Sequence, residues 1–279
     1  MINPAFALGA AFVWALSPIY YRGFLAKFDV LSFNFLRTSS AAAALAIPAL
    51  LLWNSAGLGD ALLSGAITLT CGDSLFLLSI RETGASVAAP VVYTYVLMIQ
   101  AVGVGLGQSI PYSNFAAALM VVAGVFILSK GGGGRPRARG ITLAVSAAVL
   151  WTVGQEFIQA ATNAGGSTVP VTFARNLAAA AALGVAFLLT RKNRIMPHGL
   201  GGKGYGVVLL FVLSDLVAGS LLFVYSISVV GVALTVILTS LSPLLTQIFA
   251  KALGKESPSA IDYAGGLLVV SALVLAVAL

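Results

Sequence analysis

Phe35–Ala46 reads FLRTSSAAAALA and Phe173–Gly184 reads FARNLAAAAALG: an arginine followed by a run of small residues, written twice in one chain. Each copy stands inside a stretch approaching the ~20 mostly apolar residues that a bilayer-spanning helix needs. Working outward, Trp14 in AFVWALSP answers Trp151 in AVLWTVGQ. Gly84, Gly107 and Pro111 answer Gly231, Gly254 and Pro258, each 147 positions on. The chain is one unit present twice. Between the copies lies KGGGGRPRARG, Lys130 to Gly140, whose glycines suit a flexible linker. No Gly-Lys-Ser/Thr follows them, so a phosphate-binding loop is excluded.

Composition sets the solvent. Of 279 residues 59% are hydrophobic and 8% charged, with mean hydropathy +1.04. A soluble domain carries about 25% charged residues, so this is an integral membrane protein. Its net charge of +7 does not read as nucleic-acid binding, because the basic residues fall in short gaps between apolar runs. Cys71 is the single cysteine, which excludes an intrachain disulfide and leaves no metal-ligand cluster; no cofactor is expected. No cleavable signal peptide is evident, since the first apolar run begins almost at Met1 without a basic leader.

Loop to loop, spans are expected near 3–21, 31–53, 61–80, 84–106 and 114–129, then 140–160, 168–190, 204–228, 231–252 and 260–279. Only small residues, Ser228 to Gly231, mark the join of spans eight and nine. Thirteen of the fifteen Lys and Arg residues lie in loops after odd-numbered spans; the other two, Arg37 and Arg175, lie inside spans. Positive-inside bias places the odd-numbered loops in the cytoplasm of a cell (plasma) membrane protein and both termini outside. Five spans per half is an odd number, so the second half sits upside down relative to the first. The expected fold is an all-α membrane protein of ten helices in two inverted repeats, 1–130 and 140–279, with the linker 131–139 cytoplasmic. Inverted repeats of this kind are a transporter architecture, with the binding site at the repeat interface.

These features carry a resemblance. The Trp in the first span, the Arg-led second span, and the hairpins SLFLLSIRETGASVAAP (74–90) and SLLFVYSISVVGVALTV (220–236) resemble the EamA domain of the drug/metabolite transporter superfamily. SLSPLLTQIFAKALGKE (240–256) resembles that family's proline-containing fourth span and terminal Leu-Gly-Glu turn. The chain departs from the pattern where Lys255 precedes Glu256 and where Gly107-Gln108-Ser109 carries no acid. The resemblance covers nearly the whole chain and implies transport of small organic metabolites, often by export, with amino acids or their analogues as the first expectation. Relatives commonly keep their termini in the cytoplasm; the charges here read the opposite way.

The polar residues inside the spans are the candidate site. Thr152, Glu156, Gln159 and Asn163 recur at i, i+4, i+7 and i+11, one stripe of a helix whose other face is apolar. A carboxylate at a membrane-helix centre costs roughly 2.5–3.5 kcal/mol on insertion scales, so it faces a partner or a watery cavity. Asp73 lies deep in span three and Asp215 in span eight. With Glu156 these acids either bind a proton or cation or, neutral and hydrogen-bonded, lock helix contacts; Asp73 and Glu156 are the proton-coupling candidates. Thr235, Thr239, Ser242 and Thr246 form a second stripe, which lines a cavity or bonds back to its own backbone. Pro243 frees a carbonyl near the middle of span nine and bends it. Trp14, Trp151, Tyr93, Tyr95 and Gln100 offer an amphipathic aromatic wall suited to amino-acid-like or aromatic solutes, or ordinary packing. Arg37 and Arg175 clamp an anion, snorkel, or hold a loop carbonyl; facing the cavity, they would pair Asp73 and Glu156. Spans five and ten are nearly free of polar groups and should face lipid or a partner subunit, which leaves a homodimer open. Asp262 complements a helix start, and His198 sits in a basic loop. The partners expected are a small-molecule metabolite and the bilayer. A membrane-embedded enzyme is disfavoured for want of a clustered nucleophile, acid and histidine; a channel or non-transporting scaffold is the rival class.

Overall fold

The computed structural model of the chain describes residues 4–25, 28–128, 137–190, 202–252 and 260–278, and among them every regular element is a helix. The first half comprises α1 (Ala5–Leu25), α2 (Val30–Leu51), α3 (Leu58–Ser64), a π-helical segment (Gly65–Gly72), α4 (Asp73–Thr83), α5 (Ala85–Val92), α6 (Tyr95–Gly105) and α7 (Tyr112–Leu128). The second comprises α8 (Ala138–Asn163), α9 (Thr168–Thr190), α10 (Gly202–Leu213), a second π segment (Ser214–Gly219), α11 (Ser220–Thr239), α12 (Ser242–Ala252) and α13 (Ala260–Ala278). Six runs are long and apolar enough to cross a membrane: Val30–Leu51, Leu58–Thr83, Val87–Gly105, Ala138–Asn163, Thr168–Leu189 and Gly204–Thr239. Ala5–Ser17, Tyr112–Leu128 and Tyr263–Ala278 are shorter apolar helices.

Local chemistry explains the breaks. Asp29 caps α2 by accepting from Ser32 N at 3.4 Å. Gly84 separates α4 from α5 at φ 84°, ψ 157°, a backbone conformation open to glycine and strained for other residues. Its repeat partner Gly231 takes nearly the same angles, φ 79° and ψ 162°, and bends α11 rather than ending it. Ser226 and Thr235 close over that bend at 2.9 Å, and Thr235 Oγ1 donates to Gly231 O. The expected span four is interrupted at Tyr93–Thr94, between α5 and α6, and span nine at Ser240–Leu241, between α11 and α12. The two interruptions are again 147 positions apart, and each is a tight turn of i→i−3 bonds (Thr94 N to Val91 O, Leu241 N to Leu238 O).

The halves interlock. α1 packs on α11 and α12, while α8 packs on α3, α4 and the first π segment, so each half's opening helix lies against the other half's third span. α2 lies against α9, and α7 against α13. Gly124 and Gly265 let α7 and α13 approach so closely that a Cβ on either would sit 2.9 Å from the other's carbonyl oxygen. The helices expected to face lipid or a partner subunit pack one face on each other, leaving Leu119, Phe126, Leu267 and Val274 exposed on the outside. At one end of the molecule Asn54 Nδ2 donates to Gly165 O at 2.8 Å; elsewhere Ser79 Oγ donates to Gly140 O and Glu82 faces Arg137 and Arg139 at 3.8 and 3.6 Å. Lys27, most of the linker with Lys130 and Arg135, Arg191, Lys192, Arg194, His198, Gly254, Lys255, Glu256 and Pro258 lie outside the described residues, as do the side chains of Arg22, Lys203 and Asp262.

Candidate functional site

The two π segments build the centre of the site. A π turn frees a backbone carbonyl, and in an apolar setting that carbonyl must find a donor. Leu69 O receives Asn34 Nδ2 at 2.7 Å, and Asp215 O receives the indole nitrogen of Trp14 at 3.1 Å. Each segment ends in a glycine, Gly72 or Gly219, on which a tryptophan of the opposite half lies flush: Trp151 over Gly72 and Trp14 over Gly219.

Between them sits a buried charge cluster. Arg37 pairs with Asp73 at 3.3 Å and with Asp215 at 2.8 Å. Tyr21 donates its hydroxyl to the same Asp215 oxygen at 2.5 Å, and its ring lies 5.1 Å from the guanidinium. Asn34, one turn before Arg37, accepts from Nη1 at 3.2 Å and donates to Ser74. Of the alternatives open for Arg37, the inward one that pairs it with Asp73 is the one observed, in place of snorkelling or a bond to a loop carbonyl: two acids within reach hold it in the interior, where a charge is tolerable only when paired and hydrogen-bonded. Its repeat partner Arg175 is equally buried but bonds Ser64 Oγ through Nε at 3.0 Å, with no carboxylate within 4 Å among the described residues, Glu156 included.

Trp151 joins the charges to an aromatic wall. Its Nε1 donates to Asp73 Oδ1 at 3.1 Å, Tyr95 meets its ring edge-on at 5.5 Å, and Phe76 lies 5.2 Å away. Tyr93 continues the wall at 6.0 Å from Tyr95, and Trp14 packs on Phe223 at 5.0 Å. Glu156 is about 7.5 Å further along α8 than Trp151. It accepts from Gln108 Nε2 at 2.7 Å, and its other oxygen has no hydrogen-bond partner. Gln159 spans two helices: Oε1 accepts from Val232 N, the amide after the Gly231 bend, and Nε2 donates to Asn163. Beside these lies a cavity of about 280 Å³ lined by Gln108–Pro111, Asn114, Val230–Leu234 and Ala276.

Other candidate residues are placed as helix ties. Gln100 is fully buried and donates to Val96 O and Ala233 O. Thr152 bonds back to Ala148 O and Thr239 to Thr235 O, while Ser242 and Thr246 donate to Ala11 O and Ala15 O across to α1. Sequence reasoning did not single out Tyr21, Asn34 or Gln108. Asn34 had a signal in its i, i+3 spacing to Arg37; Tyr21 reads as an interfacial aromatic and Gln108 as a loop residue, and only the tertiary fold gives either a partner.

Comparison with known proteins agrees with this architecture. A solved structure described as "Crystal structure of protein" superposes with a TM-score of 0.81 over 97% of this chain and 94% of that one at 19% identity, which shows a shared fold. No curated protein sequence matches the chain. The EamA-like transporter family matches twice, over residues 2–130 and 138–278, one match per repeat. With both halves of the chain covered, the protein belongs to the EamA-like transporter family.

Proposed function

We propose that the protein is a secondary transporter that moves small organic metabolites, amino acids or related amphipathic solutes, outward across the plasma membrane by alternating access. The observation that carries this reading is the buried cluster of Arg37 with Asp73 and Asp215, set between the two halves and roofed by Trp14 and Trp151. Discontinuous helices at such a seam suit a substrate site.

The reading includes ten spans in inverted repeats. The run Gly204–Thr239 is about 54 Å long at 1.5 Å per residue, too long for one crossing of a ~30 Å core, and Gly231 bends it. The contact of Asn54 with Gly165 joins two even-numbered loops, and that of Glu82 with Arg137 and Arg139 joins two odd-numbered ones. Both are as expected if odd loops share the cytoplasmic side and the termini the other. In this frame Arg37 stands in the cytoplasmic half, and Glu156 with Gln108 in the outer half. The seams between α1 and α11 and between α8 and α4 are where one half rocks against the other.

The test is release of a pooled metabolite mixture from liposomes holding the purified protein, read by mass spectrometry with and without a pH gradient. Selective, saturable release with counterflow is expected. Non-saturable release would replace the carrier with a channel, and no release from folded protein would leave a membrane scaffold.

A further inference from the structure

Arg37 and Arg175 occupy equivalent places in the two repeats, yet their surroundings differ in one chemical respect. The repeat relation maps Asp215 onto Thr68, Asp73 onto Ser220 and Tyr21 onto Ile158. The first two pairs follow the spacing that relates Gly72 to Gly219, and the third follows that of Trp14 to Trp151. Where the first arginine meets two acids and a phenol, the equivalent positions of the other repeat therefore hold two hydroxyls and a hydrocarbon. The packing is otherwise alike, since α9 lies against α3, the first π segment and α11 as α2 lies against α4, the second π segment and α10.

Arg175 is nevertheless buried, at 3% exposure. Ser64 accepts its Nε and donates onward to Gly154 O at 2.7 Å, which fixes one edge of the guanidinium. The terminal Nη1 and Nη2 make no hydrogen bond among the described residues. Thr68 Oγ1, at the position that would hold the missing acid, is also buried without a partner. Asp73 is near enough to act on Arg175 as a charge, but both its oxygens are held by Arg37 and Trp151, so the fork itself has no carboxylate, which it would match in geometry and charge.

Resting on the transport reading above, we propose that the Nη1/Nη2 fork of Arg175, with Thr68, receives the carboxylate of the transported solute, in the place that Asp215 fills for Arg37. The solute class is then a monocarboxylate of amino-acid type. Arg37 and Arg175 balance Asp73 and Asp215 in charge, and a zwitterion enters without changing that balance. Trp151, hydrogen-bonded to Asp73, supplies the apolar surface alongside.

The experiment loads liposomes holding wild type, Arg175→Gln, Arg175→Lys or Thr68→Asp with amino acids together with their decarboxylated amines and their amides. Thr68→Asp is close to isosteric and supplies an internal carboxylate to the arginine, so it is expected to keep or raise the thermal midpoint while blocking release of carboxylates. Arg175→Gln is expected to slow carboxylate release by roughly ten- to a hundredfold, the loss of one charged hydrogen-bonded pair, and Arg175→Lys to retain part of it. Release of amines or amides alone by wild type, or undiminished carboxylate release by Arg175→Gln and Thr68→Asp, overturns the inference and leaves the transport reading standing. Absence of any release by folded wild type overturns both.

Discussion

Trp151 donates its indole N–H to Asp73 across 3.1 Å, a bond from the second repeat to the first that orients a buried carboxylate from the side opposite Arg37. A Trp151→Phe substitution keeps an aromatic ring against Gly72 and Tyr95 but removes the donor. Initial transport rates in vesicles are expected to fall roughly tenfold or more, as for loss of a hydrogen bond to a charged group. A variant running at the wild-type rate would show that Asp73 needs no such orientation.

The cluster around Arg37 should behave as a unit. Arg37→Met alone strands Asp73 and Asp215 in the interior and is expected to cost about 3–5 kcal/mol, read as a large drop in thermal midpoint in detergent. The combination Arg37→Met, Asp73→Asn, Asp215→Asn removes the charges together and should recover most of that stability. If the triple variant were as unstable as the single one, the ion pairs would not be the reason.

Glycines under the indoles give a cleaner structural test. A Cβ on Gly72 would sit 2.6 Å from the Trp151 ring, and one on Gly219 would meet the Trp14 ring likewise. Gly72→Ala and Gly219→Ala are each expected to destabilise by about 1–3 kcal/mol through overpacking. Gly23→Ala, where a Cβ meets nothing within 4 Å, should be neutral or slightly stabilising. Equal midpoints for all three would contradict the flush packing.

At the bends, Gly84→Ala and Gly231→Ala force a Cβ into backbone at φ 84° and 79°. Each should lower the thermal midpoint by the equivalent of about 1–2 kcal/mol and slow transport, if that region flexes during turnover. A transport rate unchanged beside a lowered midpoint would confine the glycines to a static role.

Coupling separates the acids. Asp73 is committed on both oxygens, to Arg37 and Trp151, whereas Glu156 holds one oxygen free of hydrogen bonds. Glu156→Gln is expected to flatten the pH dependence of transport, measured as the rate ratio with and without a proton gradient. Persistence of the wild-type ratio in both Glu156→Gln and Asp73→Asn would remove proton coupling through either acid.

Much of this architecture was legible in the sequence because it is set by periodicity and repetition. The pairs Gly84/Gly231 and Trp14/Trp151 announced themselves by spacing, and both members of each pair do the same physical work in the structure. The break near Pro243 was legible from the proline itself; its repeat equivalent at Tyr93–Thr94 was not read, because the proline there, Pro90, lies elsewhere in register. What could not be read was which polar residue meets which. A helix stripe shows direction without depth. Thr152 and Glu156 share one stripe, yet the first bonds its own backbone and the second meets Gln108 from a distant loop. The π segments were invisible because no residue type demands them, and they shift every later side chain on the helix. Asp73 and Asp215 consequently converge on Arg37 although they are not equivalent in the repeat.

The bond between Arg37 and Asp215 joins positions 178 apart. At synthesis rates of about 5–20 residues per second, Arg37 waits roughly 9–36 s in the nascent chain before its second acid exists. During that interval Asp73 is its one carboxylate, the second-half elements that pack on α2 are still being made, and Trp14 has no Asp215 carbonyl to bond. The buried cluster therefore closes only after the run Gly204–Thr239, which carries Asp215, has been made. Until then the first half carries an arginine whose second counter-ion does not yet exist.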